Sequence, residues 1–336
     1  MEIYIDGTPY LESDNEHIRS HIIEKIENME VTCTTSGTTG HPHSVTHSPE
    51  VIEHISKFNA DWFGLTNRSK MLSLYSTRGI AFTTMSLYPC ILADADLYIE
   101  TDVSPRFIDR VHEIRPTHGL ILPNMWRVLH KHRRWATLDL SSYEQCIVGS
   151  DYTADGCLED LRSKGAQSVY NVYGATEVPP NVLMSEVANT YTLDSNPDCE
   201  VHIEDGQIIA RWKVQDRPWR SGDLVEETDN GYKLVGRELN MFKMGECGIR
   251  VYPEQVERKV VSAGADLALC RQVNGYCTIY YTGTLSKSKL DLGEIPKVRY
   301  HKVQEIKVDN NLRKIDRTQE FSDGSFEGSK VSKWQY

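Results

Sequence analysis

An alternation of element types constrains the fold most. Short apolar runs at 29–34, 71–75, 97–100, 119–122, 144–148 and 168–172 are interspersed with segments of helical spacing at 17–28, 50–62, 81–92, 105–114 and 154–164. Ile18, Ile22, Ile23 and Ile26 fall on one stripe of the first of these helices. The second opens at Ser48-Pro49, a capping hydroxyl followed by a proline whose missing N–H costs nothing in a first turn. Parallel neighbours need a crossover, and a helix supplies it, so this order predicts βαβ units and a largely parallel sheet. Phe82, Met85 and Tyr88 sit at helical spacing and are expected in the core.

The pattern changes after residue 198. Runs at 201–203, 207–212 and 232–235, with turns at Asp205-Gly206 and Asn230-Gly231, predict antiparallel β. Beyond Gly236 a smaller unit is expected, with a helix over Pro253–Ser262 and strands at 277–281 and 302–308. The Ser/Gly/Lys-rich tail from Ser322 is expected to fray. The expected class is α/β: a large domain with a mostly parallel sheet flanked by helices and a small antiparallel β part, then a small α+β domain. A length of 336 residues accommodates both.

With 39% hydrophobic and 25% charged residues the chain is globular rather than disordered. Its net charge of −11 is spread along the sequence, which disfavours attraction to nucleic acid or an anionic membrane, and neither is an expected partner. The basic run HKHRR at 130–134 reads as a solvated helix end. Eight cysteines show no CxxC pair and no metal-ligand spacing with histidine, so buried reduced thiols are expected. The opening residues MEIYIDGTPYLESD do not resemble a signal peptide, and no run of about 18 apolar residues occurs. A cytoplasmic location is the expectation.

One stretch names a chemistry. Residues 34–48 read TTSGTTGHPHSVTHS, in which Ser36, Thr38 and Thr39 are interleaved with Gly37 and Gly40. Glycine permits positive φ and lets main-chain N–H groups approach a phosphate closely. Taken alone, such a cluster is more often an ordinary surface loop. The usual nucleotide-triphosphate loop, G-x-x-x-x-G-K-[ST], is excluded because His41 follows Gly40.

Four further segments extend the pattern: NVYGATE (171–177), WRSGDLV (219–225), GRELNMFKMGECGIRVYPEQVE (236–257) and NNLRKIDR (310–317). Together with TSGTTGHPHSVTHS (35–48), and in this order, they resemble the adenylate-forming superfamily of acyl- and aryl-CoA synthetases, amino-acid adenylation domains and firefly-type luciferases. The resemblance implies activation of a small carboxylic acid by ATP and Mg²⁺ to an acyl-adenylate, with release of pyrophosphate. Acyl transfer to coenzyme A, to the phosphopantetheine of a carrier protein, or to an amine would follow.

The resemblance also implies roles. Thr35, Ser36, Gly37, Thr38, Thr39 and Gly40 would hold the β- and γ-phosphates, with His43 at the place of the family's loop lysine. Gly149 and Ser150 would border the adenine, and Asn171, Tyr173 and Gly174 belong to the nucleotide-binding segment, Tyr173 covering the base. Thr176 would bond the α-phosphate, Glu177 would bind Mg²⁺, and Asp223 would take the ribose hydroxyls with Arg237 nearby. Lys314 would assist adenylation and the segment from Lys243 would serve thioester formation. The domains expected on this basis are 1–237 and a mobile 238–336, with a hinge near 237–240, where Asn240 replaces the family's usual aspartate.

Three further features depart from the family. His43 cannot supply an ammonium at pH 7. The family's FHxxG segment survives only as YSTRG at 75–79. The phosphate loop begins after only 34 residues, where relatives carry well over a hundred. A more open acid pocket, an oligomer that completes it, and a lost activity are the three readings of that short start; the last would make the chain a catalytically impaired nucleotide-binding module.

Overall fold

The computed structural model describes residues 1–28, 30–34, 44–101, 104–245, 248–307, 315, 317 and 319–321. They fall into two units. Unit 1 holds the described residues of 1–221 and 227–233, and unit 2 those of 222–226 and from 234 onward.

Unit 1 begins with β1 (Ile3–Ile5), β2 (Thr8–Pro9) and helix α1 (Glu16–Glu27), followed by a hairpin of β3 (Val31–Thr34) and β4 (Ser44–His47). Helix α2 (Pro49–Phe63) is capped by the Ser48 side chain and ends at Gly64 in the left-handed region, φ 65°. Then come β5 (Lys70–Ser73), α3 (Ile80–Phe82), α4 (Tyr88–Ala93), β6 (Asp96–Ile99), α5 (Arg106–Ile114), β7 (His118–Ile121) and α6 (Pro123–Leu129). The series closes with β8 (Gln145–Val148), α7 (Cys157–Ser163), β9 (Ser168–Tyr173) and β10 (Leu183–Ser185).

Eight strands form one sheet in the order β10-β9-β8-β7-β5-β6-β1-β2. Every pair from β9 to β1 is parallel, and only the edge strands β10 and β2 run antiparallel. Strands β7 and β8 are buried along their whole length, as strands covered on both faces must be. The main core packs on this sheet and includes Phe82, Met85, Phe107 and Tyr143. A smaller cluster of Val31, Cys33, Ile52, Ile80 and Tyr88 seats the β3–β4 hairpin against α2 and α4.

The order of connection matters for the site. Strand β5 lies between β6 and β7, so the chain moves outward to β6 and then returns across β5 to β7. Crossovers leaving in opposite senses open a crevice at the carboxyl ends of the strands, where ligands of open α/β sheets bind.

Three expectations require correction. The helix at 81–92 is not continuous: α3 and α4 are joined by a π-helical turn over Thr83–Leu87. Pro89 has no N–H to donate into that turn, which loosens the regular i→i−4 ladder. The helix at 154–164 starts three residues late, at Cys157, because Gly156 takes φ 81°. The strand at 302–308 lies instead at Val298–Lys302, since it is the residues from Val298 that pair in parallel with Cys277 to Tyr281.

The remaining strands are β11 (Thr190–Tyr191), β12 (Cys199–Glu204), β13 (Gln207–Trp212), β14 (Trp219–Thr228) and β15 (Gly231–Arg237). β12 and β13 pair antiparallel about Asp205-Gly206, both at positive φ, the turn the sequence predicts. Unit 2 adds β16 (Phe242–Met244), β17 (Ile249–Val251), α8 (Pro253–Ser262), β18 (Ala265–Val273), β19 (Tyr276–Gly283) and β20 (Val298–Lys302). α8 lays Val256 and Val260 into a core with Ala268, Cys270, Cys277 and Ile279. The seven described cysteines are buried free thiols. Among the described residues no helix is long and apolar enough to cross a membrane.

Candidate functional site

Two turns at the carboxyl edge of the main sheet carry the expected residues of unit 1. Gly149 and Ser150 follow β8, and Tyr173 ends β9 directly before Gly174, Thr176 and Glu177. Thr35, Ser36, Gly37, Thr38, Thr39, Gly40 and His43 lie outside the described residues, as does Lys314.

The strands flanking 35–43 are well defined. β3 and β4 pair in register from Val31 with His47 to Thr34 with Ser44, and Thr32 Oγ1 meets Thr46 Oγ1 at 2.8 Å. Buried His47 reaches the Thr176 carbonyl with Nε2 at 2.7 Å. A carbonyl only accepts, so Nε2 carries the proton. Burial pushes the His47 pKa below the usual histidine value, outweighing the Thr176 bond and the Glu177 charge that act upward, which favours the neutral ring. The hairpin that carries the hydroxyl-rich loop is thereby fastened to the turn that carries Thr176.

That turn is held on every side. Ala175 N–H donates to the Val178 carbonyl at 2.8 Å, Gln215 Nε2 to the Glu177 carbonyl at 2.9 Å, and Trp212 Nε1 to the Pro179 carbonyl at 2.9 Å. With the backbone fixed, the half-buried side chains of Thr176 and Glu177 project from a rigid base. A Cβ at Gly174 would stand 2.5 Å from Pro180 Cα and 2.8 Å from Pro180 N, backbone atoms that cannot yield. Gly174→Ala is expected to lower stability by about 1–3 kcal/mol, read from the midpoint of denaturant unfolding.

Asn171, an expected nucleotide contact, is hydrogen-bonded within the fold. It is buried, its Nδ2 donates to the Val148 carbonyl and Thr153 Oγ1 (2.9 Å each), and its Oδ1 accepts from Asn189 N–H and the Tyr191 hydroxyl (2.6 and 2.8 Å). Its amide ties the ends of β8 and β9 together. Gly149 lies in the same crowded edge: a Cβ there would meet Val172 Cγ2 at 2.8 Å. Ser150 takes φ 77°, and the next residue, Asp151, accepts from Asn124 Nδ2 at 2.8 Å. Arg127 bonds both Asn124 Oδ1 and the Tyr152 carbonyl, so α6 fixes the turn after β8. Sequence reasoning missed Asn124, Arg127, Gln215 and the role of His47; only His47 stood inside a quoted motif.

For Mg²⁺, the described residues hold no cluster of three or more potential ligands. Mg²⁺ needs only one or two carboxylates when phosphate oxygens and water supply the rest, so the single Glu177 carboxylate on its braced turn fits that ion.

In unit 2, Arg237 Nε donates to the largely buried Asp223 carboxylate at 2.8 Å. Leu239 just beyond is 73% exposed. Lys243 is exposed on β16 opposite Arg250 of β17, and the two strands are joined through Gly245 and Gly248, both at positive φ. Described residues beyond Lys314 are anchored. Ile315 packs with Leu269, Tyr280 and Ile306, and the Phe321 ring stacks on Tyr280 at 4.1 Å. Arg317 forks onto both oxygens of Glu257, at 2.8 and 2.7 Å, and Glu257 Oε1 also accepts from Cys270 N–H at 2.8 Å. Burial raises the Glu257 pKa, with Arg317 pulling it back down. The segments 236–257 and 310–317, far apart in sequence, meet through this pair.

Comparison with known proteins agrees with this architecture. The chain is 23% identical over 260 residues to indoleacetate–CoA ligase of Aromatoleum aromaticum, covering 67% of this chain and 50% of that protein. It is 24% identical over 273 residues to a medium/long-chain-fatty-acid–CoA ligase of Mycobacterium tuberculosis, covering 70% and 47%. The chain thus spans about half the length of the curated relatives it matches. Among solved structures, o-succinylbenzoate coenzyme A synthetase from Bacillus subtilis in complex with AMP superposes with a TM-score of 0.72 at 18% identity, covering 88% of this chain and 69% of that one. That likeness is one of fold. Residues 6–214 match the model of the AMP-binding enzyme family, and on that match across more than half of its length the chain belongs to that family.

Proposed function

We propose that the protein activates a small carboxylic acid as its acyl-adenylate and hands the acyl group to a thiol, coenzyme A or a carrier-protein phosphopantetheine, or to an amine. The observation that carries this reading is the family match together with Thr176 and Glu177 on a braced turn at the carboxyl edge of a parallel sheet. The names of the CoA ligase relatives support it.

In this reading a carboxylate oxygen attacks the α-phosphorus of ATP, the α–β anhydride bond breaks, and pyrophosphate leaves. Ser36, Thr38, Thr39 and the Gly37 and Gly40 backbone take the β- and γ-phosphates, with His43 beside them. Thr176 donates to the α-phosphate and Glu177 would hold Mg²⁺, which supplies charge neutralisation on the leaving phosphates. Tyr173 covers the adenine along Gly149 and Ser150, and Asp223, oriented by Arg237, takes the ribose hydroxyls. Lys314 neutralises the reacting carboxylate. In the second step the acceptor attacks the acyl carbonyl, AMP departs, and the segment from Lys243 lines the approach. Two half-reactions with different stabilisers call for two poses of the 238–336 domain, turning near 237–240.

Incubation with ATP, Mg²⁺ and a panel of acids is expected to release pyrophosphate in an acid-dependent manner. Folded protein that releases none across aryl, fatty and amino acids overturns the proposal. His43 at the lysine position favours one second reading, a module that binds nucleotide without turnover. Calorimetric titration separates them: an enzyme binds a non-hydrolysable acyl-adenylate mimic far more tightly than ATP, whereas a binding module does not.

A further inference from the structure

Glu254 stands on the first turn of α8, where the helix dipole favours a carboxylate, and it faces two segments at once. Its Oε1 accepts a hydrogen bond from Asn240 Nδ2, in the short helical turn that follows β15. The same oxygen lies 3.5 Å from Arg317 Nη2. Its Oε2 is buried with no hydrogen-bond partner among the described residues, and a Cβ on Gly236 would stand 2.9 Å from it. One turn further along α8, Arg258 donates to the Val235 carbonyl at 2.7 Å and approaches the Leu234 carbonyl at 3.5 Å. Helix α8 therefore grips the stretch 234–240 through two side chains, and one of these also touches Arg317.

We infer that Glu254 is a positioning residue: a strut that couples Arg317, three residues after Lys314, to residues 236–240. Asn240 is matched to it. Relatives of the resembled superfamily usually carry aspartate at that position, and here a second carboxylate would face Glu254 at hydrogen-bonding distance and repel it. An amide donates instead. A carboxylate that leaves one oxygen unpaired in a buried place loses free energy, so its two-sided contact needs a reason beyond packing. Coupling the segments 236–240 and 315–321 supplies one. The catalytic consequence rests on the adenylation reading; the coupling itself does not.

The test uses the full chain with Glu254→Ala, Glu254→Gln and Asn240→Asp. Glu254→Ala is expected to speed amide hydrogen exchange in both 236–240 and 315–321 while the interior of α8 and the β18–β19 ladder stay protected. The rate of pyrophosphate release should fall about tenfold at saturating ATP, with KM for ATP unchanged. Asn240→Asp should reproduce the loss, and adding Glu254→Gln in that background should restore the rate, which a purely structural role would not do. Exchange that rises in only one segment, or in neither, overturns the inference whether or not pyrophosphate is released. Both segments loosening together in a protein that activates no acid upholds the strut and removes the proposed function. If Glu254→Ala fails to fold, the shape-conserving Glu254→Gln carries the same exchange comparison.

Discussion

Lys314→Ala lowers the rate of pyrophosphate release by about two to three orders of magnitude and leaves the affinity for ATP near its wild-type value. In the proposed reaction the ammonium meets the carboxylate as it attacks phosphorus, where charge builds up in flight. A donor aimed at developing charge is worth about 3–4 kcal/mol, far more than one that only touches the ground state. Phosphate and ribose contacts belong to other residues, so KM for ATP should move little, the signature of an interaction made chiefly in the transition state. Single-turnover pyrophosphate release and equilibrium ATP binding, measured on wild type and variant, check both halves. Equal rates would show that the terminal segment has been assigned wrongly.

Arg317→Ala destabilises unit 2 by about 3–5 kcal/mol, because it leaves the Glu257 carboxylate buried without its counter-charge. The pair is bidentate, and Glu257 is 8% exposed. The pH dependence has a definite sign. Burial already raises the folded Glu257 pKa above its ordinary value of 4.5, and losing Arg317 raises it further. A group raised on folding favours the folded state fully below its unfolded pKa, and that contribution is lost as pH climbs through the folded value. The deficit of Arg317→Ala should therefore be larger at pH 8 than at pH 5. Hydrogen exchange of β18 and β19 amides reports unit 2 separately from unit 1. A loss under about 1 kcal/mol at pH 8 would mean that Glu257 finds water or another donor.

Much of unit 1 was legible in the sequence because its signals are local. The apolar runs at 97–100, 119–122, 144–148 and 168–172 became β6, β7, β8 and β9 nearly in place, and β7 and β8, buried on both faces, are the most continuously buried of them. Ser48-Pro49 opened α2 as expected. The short strands β1, β2 and β10 carry too few residues to show a period, and β18 was passed over as well. The helix at 81–92 misled for a related reason. Its apolar spacing is helical, but Pro89 lies within it, and the spacing says nothing of how the missing donor is accommodated.

In the site the division is sharper. Composition, motif order and glycine placement follow from what single residues can do: a hydroxyl donates, a lone carboxylate suits Mg²⁺, and only glycine fits 2.5 Å from the Pro180 backbone. Those properties travel with the sequence, so the family could be read from it and candidate residues named. The bracing of those residues was decided by tertiary structure alone. His47 finds Thr176 across 129 positions and Arg317 finds Glu257 across 60, while Asn171 turns inward to serve four neighbours. A buried polar atom must be paired wherever the fold brings a partner near, and no local pattern records which distant residue that will be.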